Sequence, residues 1–313
     1  MLSGVSILCF AASYAVALIL EVSRLLFRSG IRGAVMLGFA AAGLLAHTAY
    51  LYYEAVHTTG APLSSERDWC MVAAWVLAVV YLYLLCYHPR NSFGLFLLPL
   101  VLGLIAAGRF LAESEPFARE PASKVWGMLH GSSIVLAAVA VLVGFAAGMM
   151  YFGQAWRLKH KLPPGRGLRL PSLEWLERAN SRAIVVSVIM LSMGVASGVI
   201  LNVIRTDQSG SRLPWSDPLV FSTGLMLAWL LLSLLLGAVY KPARAGRKVA
   251  YLTVVSFLFL VLTLGVMLFL TQHGGRGTGA AEKGDWSLLC AASEGPFRQE
   301  APVPFFRSVD LEG

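Results

Sequence analysis

Charge is the scarcest ingredient of this chain, since only 13% of its 313 residues are Asp, Glu, Lys or Arg. Soluble domains carry about 25% charged residues, so a water-exposed surface over most of the chain is excluded. Hydrophobic residues instead make up 57% of the sequence, and the mean hydropathy is +0.70. Their runs are roughly 20 residues long without the alternation of β-strands, which is typical of membrane-spanning helices. The sequence therefore predicts an all-α, polytopic membrane helical bundle.

Eight apolar runs are long enough to be transmembrane helices. They are Leu2–Leu20, Ala34–Tyr53, Trp69–Tyr87, Phe93–Ala112, Gly127–Phe152, Ala183–Ile204, Leu219–Tyr240 and Val249–Leu270. No Lys or Arg precedes the first run, and no small-residue cleavage site follows it. We therefore interpret it as a retained span rather than a signal peptide.

The net charge of +8 is unevenly distributed along the chain. Every second loop, beginning with the one after the first run, is basic, and these loops together hold 15 of the 25 Lys and Arg residues. Cytoplasmic loops of membrane proteins collect Lys and Arg, so the distribution predicts that both termini lie outside. It also explains the positive charge without a nucleic-acid partner.

Cysteine is sparse as well. The four cysteines form neither a CxxC pair nor a CxxCH motif, which argues against a thiol-disulfide relay and against haem attached covalently to this chain. Cys9, Cys70 and Cys86 fall in apolar runs, where we expect them to be small buried residues.

The composition divides the chain into two regions. Residues 1–273 form the predicted integral membrane domain, whereas residues 274–313 are rich in Gly, Pro and charge and predict a disordered extracytoplasmic tail. The longest basic loop, Gly153–Arg182, lies between the fifth and sixth runs. Its second half contains Ser172, a favourable N-cap, and predicts a short interfacial helix between Pro171 and Arg182.

Small residues within the apolar runs predict where helices approach closely, because packing rather than hydrophobicity drives helix association in lipid. The candidates are Gly38, Ala42 and Gly43 in the second run, Gly144, Ala147 and Gly148 in the fifth, and the G-x-x-x-G pair Gly194 and Gly198 in the sixth.

Three histidines are candidates for chemistry because ionisable groups within membrane helices are costly. His47 lies inside the second run, His130 lies near the outer start of the fifth, and His273 follows the eighth. Neutral imidazole is a good iron ligand, and two of them can hold a six-coordinate haem iron. The other histidines, His57, His88 and His160, fall in loops and are expected at the surface.

The loop before the seventh run adds an aromatic and an acidic residue on the same predicted side as His130 and His273. Trp215 could stack on a porphyrin. Asp217, or one of the nearby Arg205 and Arg212, could meet haem propionates or orient an imidazole. A simpler interpretation is also open, since Asp217 followed by Pro218 is typical of a helix start, and His273 followed by glycine is typical of a helix end.

Several segments together resemble the cytochrome c assembly family of polytopic membrane proteins, which includes the haem-handling subunit of the system II cytochrome c synthetase and its smaller HemX-like relatives. The resemblance covers about residues 1–273. The segments that carry it are Leu44–His47, Met128–His130, Tyr151–Lys159, Leu170–Glu177, Trp215–Pro218 and Thr271–Gly274.

The resemblance implies haem handling at the outer face of the bacterial cytoplasmic membrane. It implies that His130 and His273 are ligands of the iron of a transient, non-covalent haem b, that Trp215 and Asp217 line the site, and that His47 lies inside the bundle on a haem path. The implied partners are haem, a membrane subunit of the cytochrome c synthetase and, indirectly, apocytochrome c. The chain lacks the additional spans and outer domain of a fused synthetase, which favours an assembly component or a HemX-like accessory protein.

Function therefore stays open between three classes. The favoured hypothesis is a cytochrome c maturation component that binds haem and presents it outside. It is not predicted to be an enzyme alone, because no nucleophile elbow, phosphate-binding loop or H-x-x-x-H spacing occurs, although it could belong to a haem-attachment complex. The alternative is a HemX-like regulator of haem biosynthesis that acts through its cytoplasmic loop. A small-molecule transporter ranks lowest, because no charged group lies at mid-depth.

Overall fold

A computed structural model describes residues 6–24, 31–57, 65–89, 91–112, 124–161, 169–209, 217–239 and 247–269 of the chain. Within these residues the chain forms eight α-helices and no strand. The helices are α1 (Ile7–Ser23), α2 (Ile31–His57), α3 (Glu66–Tyr87), α4 (Gly94–Phe110), α5 (Lys124–Lys159), α6 (Leu173–Ser209), α7 (Pro218–Val239) and α8 (Arg247–Phe269).

The predicted all-helical membrane bundle is confirmed by these elements. Six of the helices are long and apolar enough to cross a membrane, namely α2, α3 and α5 to α8. The remaining two, α1 and α4, are apolar but have only 17 residues each. Each helix corresponds to one of the eight apolar runs of the sequence, and α5 and α6 extend well beyond theirs.

Consecutive helices pack side by side in opposite directions. Phe10, near the start of α1, stacks on His47 in the second half of α2. Gly144 in α5 lies against Ala183, which is near the start of α6. We call the end of the bundle where α1, α3, α5 and α7 begin the first end, and the opposite end the second end. The charge distribution predicts that the first end is the outer one.

Two hydrophobic clusters hold the described helices together. The larger contains side chains of α1 to α6 and α8, including the fully buried Phe10, Met71, Leu77, Leu97 and Leu176. The smaller lies between α5, α6 and α7, and its buried members include Ile184, Val188, Met226 and Leu230. The chain therefore contains a cluster centred on α1 to α4 and a second one centred on α5 to α7, with α5 contributing to both.

The predicted glycine contacts are confirmed at five of six positions. At these positions an added Cβ would lie 3.0 Å or less from a neighbouring side chain: Gly43 meets Tyr14, Gly144 meets Ala183, Gly148 meets Thr253, Gly194 meets Ile134, and Gly198 meets His130. Gly38 is the exception, because a Cβ there would meet nothing within 4 Å. Among the predicted positions, close helix approach therefore occurs around α5 and at the contact of α1 with α2.

Two local predictions need correction. The segment from Pro171 to Arg182 is not a separate interfacial helix, since α6 begins at Leu173 and continues without a break for 37 residues. Ser172 does cap it, and its Oγ accepts the backbone N–H of Trp175 at 3.3 Å. No Gly or Pro follows between residues 173 and 193 to interrupt the helix.

The prediction for the cysteines is correct for one and wrong for two. Cys70 is buried, but Cys9 and Cys86 are exposed on the surfaces of α1 and α3. In a membrane protein an apolar side chain gains little from burial in protein relative to lipid, so residue type alone does not predict its side of the helix.

Candidate functional site

His130 lies in the contact between α5 and α6. It is the seventh residue of α5, about 9 Å along the helix axis from its start. Its Nδ1 lies 2.7 Å from the carbonyl oxygen of Gly194 in α6. The side chain is half-buried, so one edge of the imidazole faces the neighbouring helix.

Glycine at two positions of α6 makes room for this ring. A Cβ at position 198 would lie 2.8 Å from Cε1 and 3.0 Å from Nδ1 of His130. A Cβ at position 194 would lie 2.9 Å from Cγ1 of Ile134, one turn further along α5. The G-x-x-x-G pair predicted from the sequence therefore forms the groove that receives the His130 turn.

The hydrogen bond also fixes the tautomer of the neutral ring. A carbonyl oxygen only accepts hydrogen bonds, so Nδ1 of His130 must carry the proton and donate it to Gly194. The lone pair of the neutral imidazole is then on Nε2. Histidines that bind metals commonly donate their second ring N–H to a backbone carbonyl in this way. Nε2 of His130 is therefore the ring nitrogen whose chemistry suits a metal ligand.

The backbone of the same turn packs against α3. The ring of Trp69 occupies the position that a Cβ of Gly131 would need, and the three nearest atoms to that position all belong to its indole. Trp69 is half-buried and packs on the larger hydrophobic cluster. The turn that carries His130 thus contacts α6 through its imidazole and α3 through its backbone.

Asp217 forms the start of α7. Its Oδ1 accepts the backbone N–H of Leu219 at 2.8 Å, and Pro218 is the first helical residue. The interpretation of Asp217-Pro218 as a helix start is therefore confirmed.

His47 lies in a different environment from His130. It is fully buried, its ring stacks on Phe10 with centroids 4.1 Å apart, and Tyr14 meets it edge-on. Neither ring nitrogen has a hydrogen-bond partner among the described residues, and its polar neighbour is the backbone of Met71. The structure thus places His47 in the contact of α1, α2 and α3, whereas His130 lies between α5 and α6.

Trp215 and His273 lie outside the described residues, as do Arg212 and the side chain of Arg205. In sequence, the described residue nearest to Trp215 is Asp217 at the start of α7, and the one nearest to His273 is Phe269 at the end of α8. Both of these helix ends belong to the first end of the bundle, as does the start of α5. The predicted pairing of His130 with His273 therefore stays a prediction.

The three histidines expected at the surface are exposed, as predicted, but His57 is the last residue of α2 rather than part of a loop. Nδ1 of His57 pairs with the Tyr53 carbonyl at 3.0 Å, and Nδ1 of His160 pairs with the Trp156 carbonyl at 2.9 Å. Both bonds are to the carbonyl four residues earlier in the same chain segment. His130 differs because its carbonyl partner belongs to another helix.

Sequence reasoning missed two buried acidic residues, Glu21 and Glu66, of which Glu21 is the more deeply buried. Glu21, at the end of α1, has a side chain only 1% exposed, and its Oε2 lies 3.2 Å from Nη1 of Arg24. Arg24 also donates to the carbonyl oxygen of Pro89, at 3.1 Å, before α4. An acidic residue directly after an apolar run was the available signal. The pair joins the end of α1 to the α3–α4 connection at the second end of the bundle.

The fold defines this chain as a polytopic helical membrane protein. No family model matches it, and no curated protein or solved structure is significantly similar to it. A narrower function must therefore be inferred from the chemistry of the chain's own residues.

Proposed function

We propose that this protein is a membrane component of cytochrome c maturation that binds haem b non-covalently and presents it at the extracytoplasmic face. The observation that carries the proposal is the setting of His130, whose Nδ1–H donates to the Gly194 carbonyl at 2.7 Å. That bond orients the ring and increases the basicity of Nε2, which is what a metal ligand requires.

His130 and His273 would hold the iron in this proposal, and Trp215 would lie against the macrocycle. Haem supplies the iron and the porphyrin that is to be attached to an apocytochrome. The protein's contribution is to orient the His130 imidazole, to keep the site in an apolar setting and to position it at the first end of the bundle. The cysteine thiols of the apocytochrome would be held by a partner subunit, because this chain has no CxxC pair.

The test is the Soret absorbance of protein purified in detergent from haem-replete cells. Wild type is expected to carry haem, and His130→Ala is expected to lose most of it. His160→Ala is the matched control, because His160 makes the same kind of Nδ1–carbonyl bond on an exposed helix end. Haem content equal in wild type and His130→Ala would contradict the ligand role, and wild type without haem would favour the regulatory alternative.

A further inference from the structure

The turn of α5 that carries His130 is held from two sides. On one side the imidazole bonds to Gly194 and lies over Gly198 of α6. On the other side the backbone at Gly131 meets the indole of Trp69, so closely that no side chain fits between them. Gly131 directly follows His130, so a shift of the Trp69 contact would move the Cα from which the imidazole projects.

The first turn of α3 is itself firmly placed, so Trp69 is not a mobile ring on a loose helix end. Ser65 and Asp68 form a reciprocal capping box at its start. Nη2 of Arg67 lies 2.8 Å from Oε1 of Glu54 in α2. On the α4 side, a Cβ at Gly108 would lie 3.0 Å from Cβ of Cys70. These contacts tie the position of Trp69 to α2 and α4 as well as to its own helix.

We infer that Trp69 is a positioning residue for His130. Its contact with Gly131 fixes the position of the His130 turn along α6 and the direction in which the imidazole projects. Through this contact, the packing of the α1–α4 cluster determines where His130 lies. The inference rests on the proposed haem-binding function for its effect on affinity. Its geometric part, a fixed distance between α3 and the His130 turn, concerns the protein without haem.

The decisive variant is Gly131→Ala, because its methyl group needs the space that the Trp69 indole fills. We expect it to push the turn away and to weaken haem binding roughly ten- to a hundredfold, the usual loss when a metal ligand is misoriented. Trp69→Leu removes the three indole atoms nearest to Gly131, so the double variant Gly131→Ala/Trp69→Leu is expected to recover most of the lost affinity. Gly103→Ala in α4 is the matched control, since a Cβ there meets nothing within 4 Å.

A second measurement needs no haem. In protein labelled with nitrogen-15 histidine and placed in lipid nanodiscs, the Nδ1–H signal of His130 is identified by its loss in His130→Ala. Gly131→Ala is expected to shift this signal, the double variant to return it, and Gly103→Ala to leave it unchanged. If Gly131→Ala does not fold, Trp69→Leu alone serves, and it is expected to weaken haem binding and broaden the His130 signal.

The two claims fail separately. Wild type that binds no haem would overturn the proposed function. The Nδ1–H signal of His130 would still test the positioning role of Trp69 in that case. An unmoved His130 signal in Gly131→Ala would overturn the positioning role whatever the haem content. A shift that Trp69→Leu does not reverse would also overturn it, because the contact would then involve another group.

Discussion

The imidazole of His130 makes a hydrogen bond to the Gly194 carbonyl and a close contact with Gly198. A buried polar group without a partner costs roughly 1–3 kcal/mol, and the Gly194 carbonyl removes that cost at Nδ1. The carbonyl is reachable because position 198 has no side chain to keep the ring away. A histidine of this kind is oriented before any ligand arrives, so little ordering remains to be done on binding.

Gly198→Ala is expected to displace the His130 ring. The new methyl group would lie 2.8 Å from Cε1 and 3.0 Å from Nδ1, and overpacking of this kind costs about 1–3 kcal/mol. Haem titration should show weaker binding by about tenfold or more. Gly224→Ala in α7 should bind haem as wild type does, because a Cβ there meets nothing within 4 Å. Equal affinity for Gly198→Ala would argue against His130 as the ligand.

Asp217 allows its capping role to be separated from a role of its charge. Asp217→Asn keeps an oxygen that can accept the Leu219 N–H, whereas Asp217→Ala removes it. Loss of an N-cap costs about 1 kcal/mol, so we expect a lower melting temperature for Asp217→Ala and little change for Asp217→Asn. If the carboxylate also contributes its charge to haem binding, Asp217→Asn will weaken haem binding without changing the melting temperature. Equal stability of all three proteins would contradict the capping role.

At the scale of helices, the contact of α5 with α8 combines the stacked rings of Phe145 and Phe257 with a close approach at small residues. Gly144 and Gly148 both face Thr253, whose Oγ1 is satisfied by the Ala250 carbonyl of its own helix at 2.9 Å. The hydroxyl therefore adds bulk at the contact without leaving a buried polar group unpaired. Because lipid is as apolar as a protein core, such close packing stabilises the contact where hydrophobic burial cannot.

Gly148→Ala is expected to destabilise this contact by about 1–3 kcal/mol. The new Cβ would lie 2.8 Å from Oγ1 of Thr253 and 3.4 Å from the Ala250 carbonyl oxygen. Thermal unfolding in detergent should show a lower melting temperature, and Thr253→Ala in the same chain should restore part of it. Gly265→Ala, near the end of α8, serves as the control, because a Cβ there meets nothing within 4 Å. Should the melting temperature of Gly148→Ala match that of the control, the described α5–α8 packing would be wrong.

Most elements could be predicted from the sequence, because apolar run length and capping residues are local signals. The length of α6 could not, because Leu173–Arg182 is amphipathic enough to suggest an interfacial helix while nothing local says that it continues into the bundle. The sides of Cys9 and Cys86 could not be predicted either, since apolar residues of membrane helices face protein or lipid at similar cost.

The candidate site was predictable in part. His130 was identified by its residue type and depth, and the glycine groove by its spacing. The pairing of His130 with Gly194 and the contact of Gly131 with Trp69 could not be predicted. Each joins residues of two different helices, and these residues are 64 and 62 positions apart in the chain. Nothing in a single sequence gives the rotation of one helix against another.

At the scale of the whole molecule, the sidedness of the bundle decides what the site can do. His130, the start of α7 and the end of α8 share the first end of the bundle, and the helix ends that flank the basic loops share the second. The ion pair between buried Glu21 and half-buried Arg24 is at the second end as well. If charge sets orientation as usual, the candidate ligands face outward, which is where cytochromes c are assembled in the proposal.

Topology reporters test this orientation directly. Alkaline phosphatase, which is active only outside the cytoplasm, should be active when fused after Phe269. Green fluorescent protein, which folds in the cytoplasm, should fluoresce when inserted between Pro163 and Pro164. The reverse pattern would place the first end inside and would contradict presentation of haem at the outer face.

The central claim is that Nε2 of His130 binds haem iron, and exchange of this ligand tests it most directly. In purified protein, the redox midpoint potential and absorption spectrum of His130→Met are compared with those of wild type and of the exposed-site control His160→Met. A thioether ligand raises the potential of haem iron relative to imidazole, so His130→Met should show a higher potential and an altered spectrum, while His160→Met should match wild type. Haem bound in His130→Met with an unchanged spectrum and potential would contradict the claim.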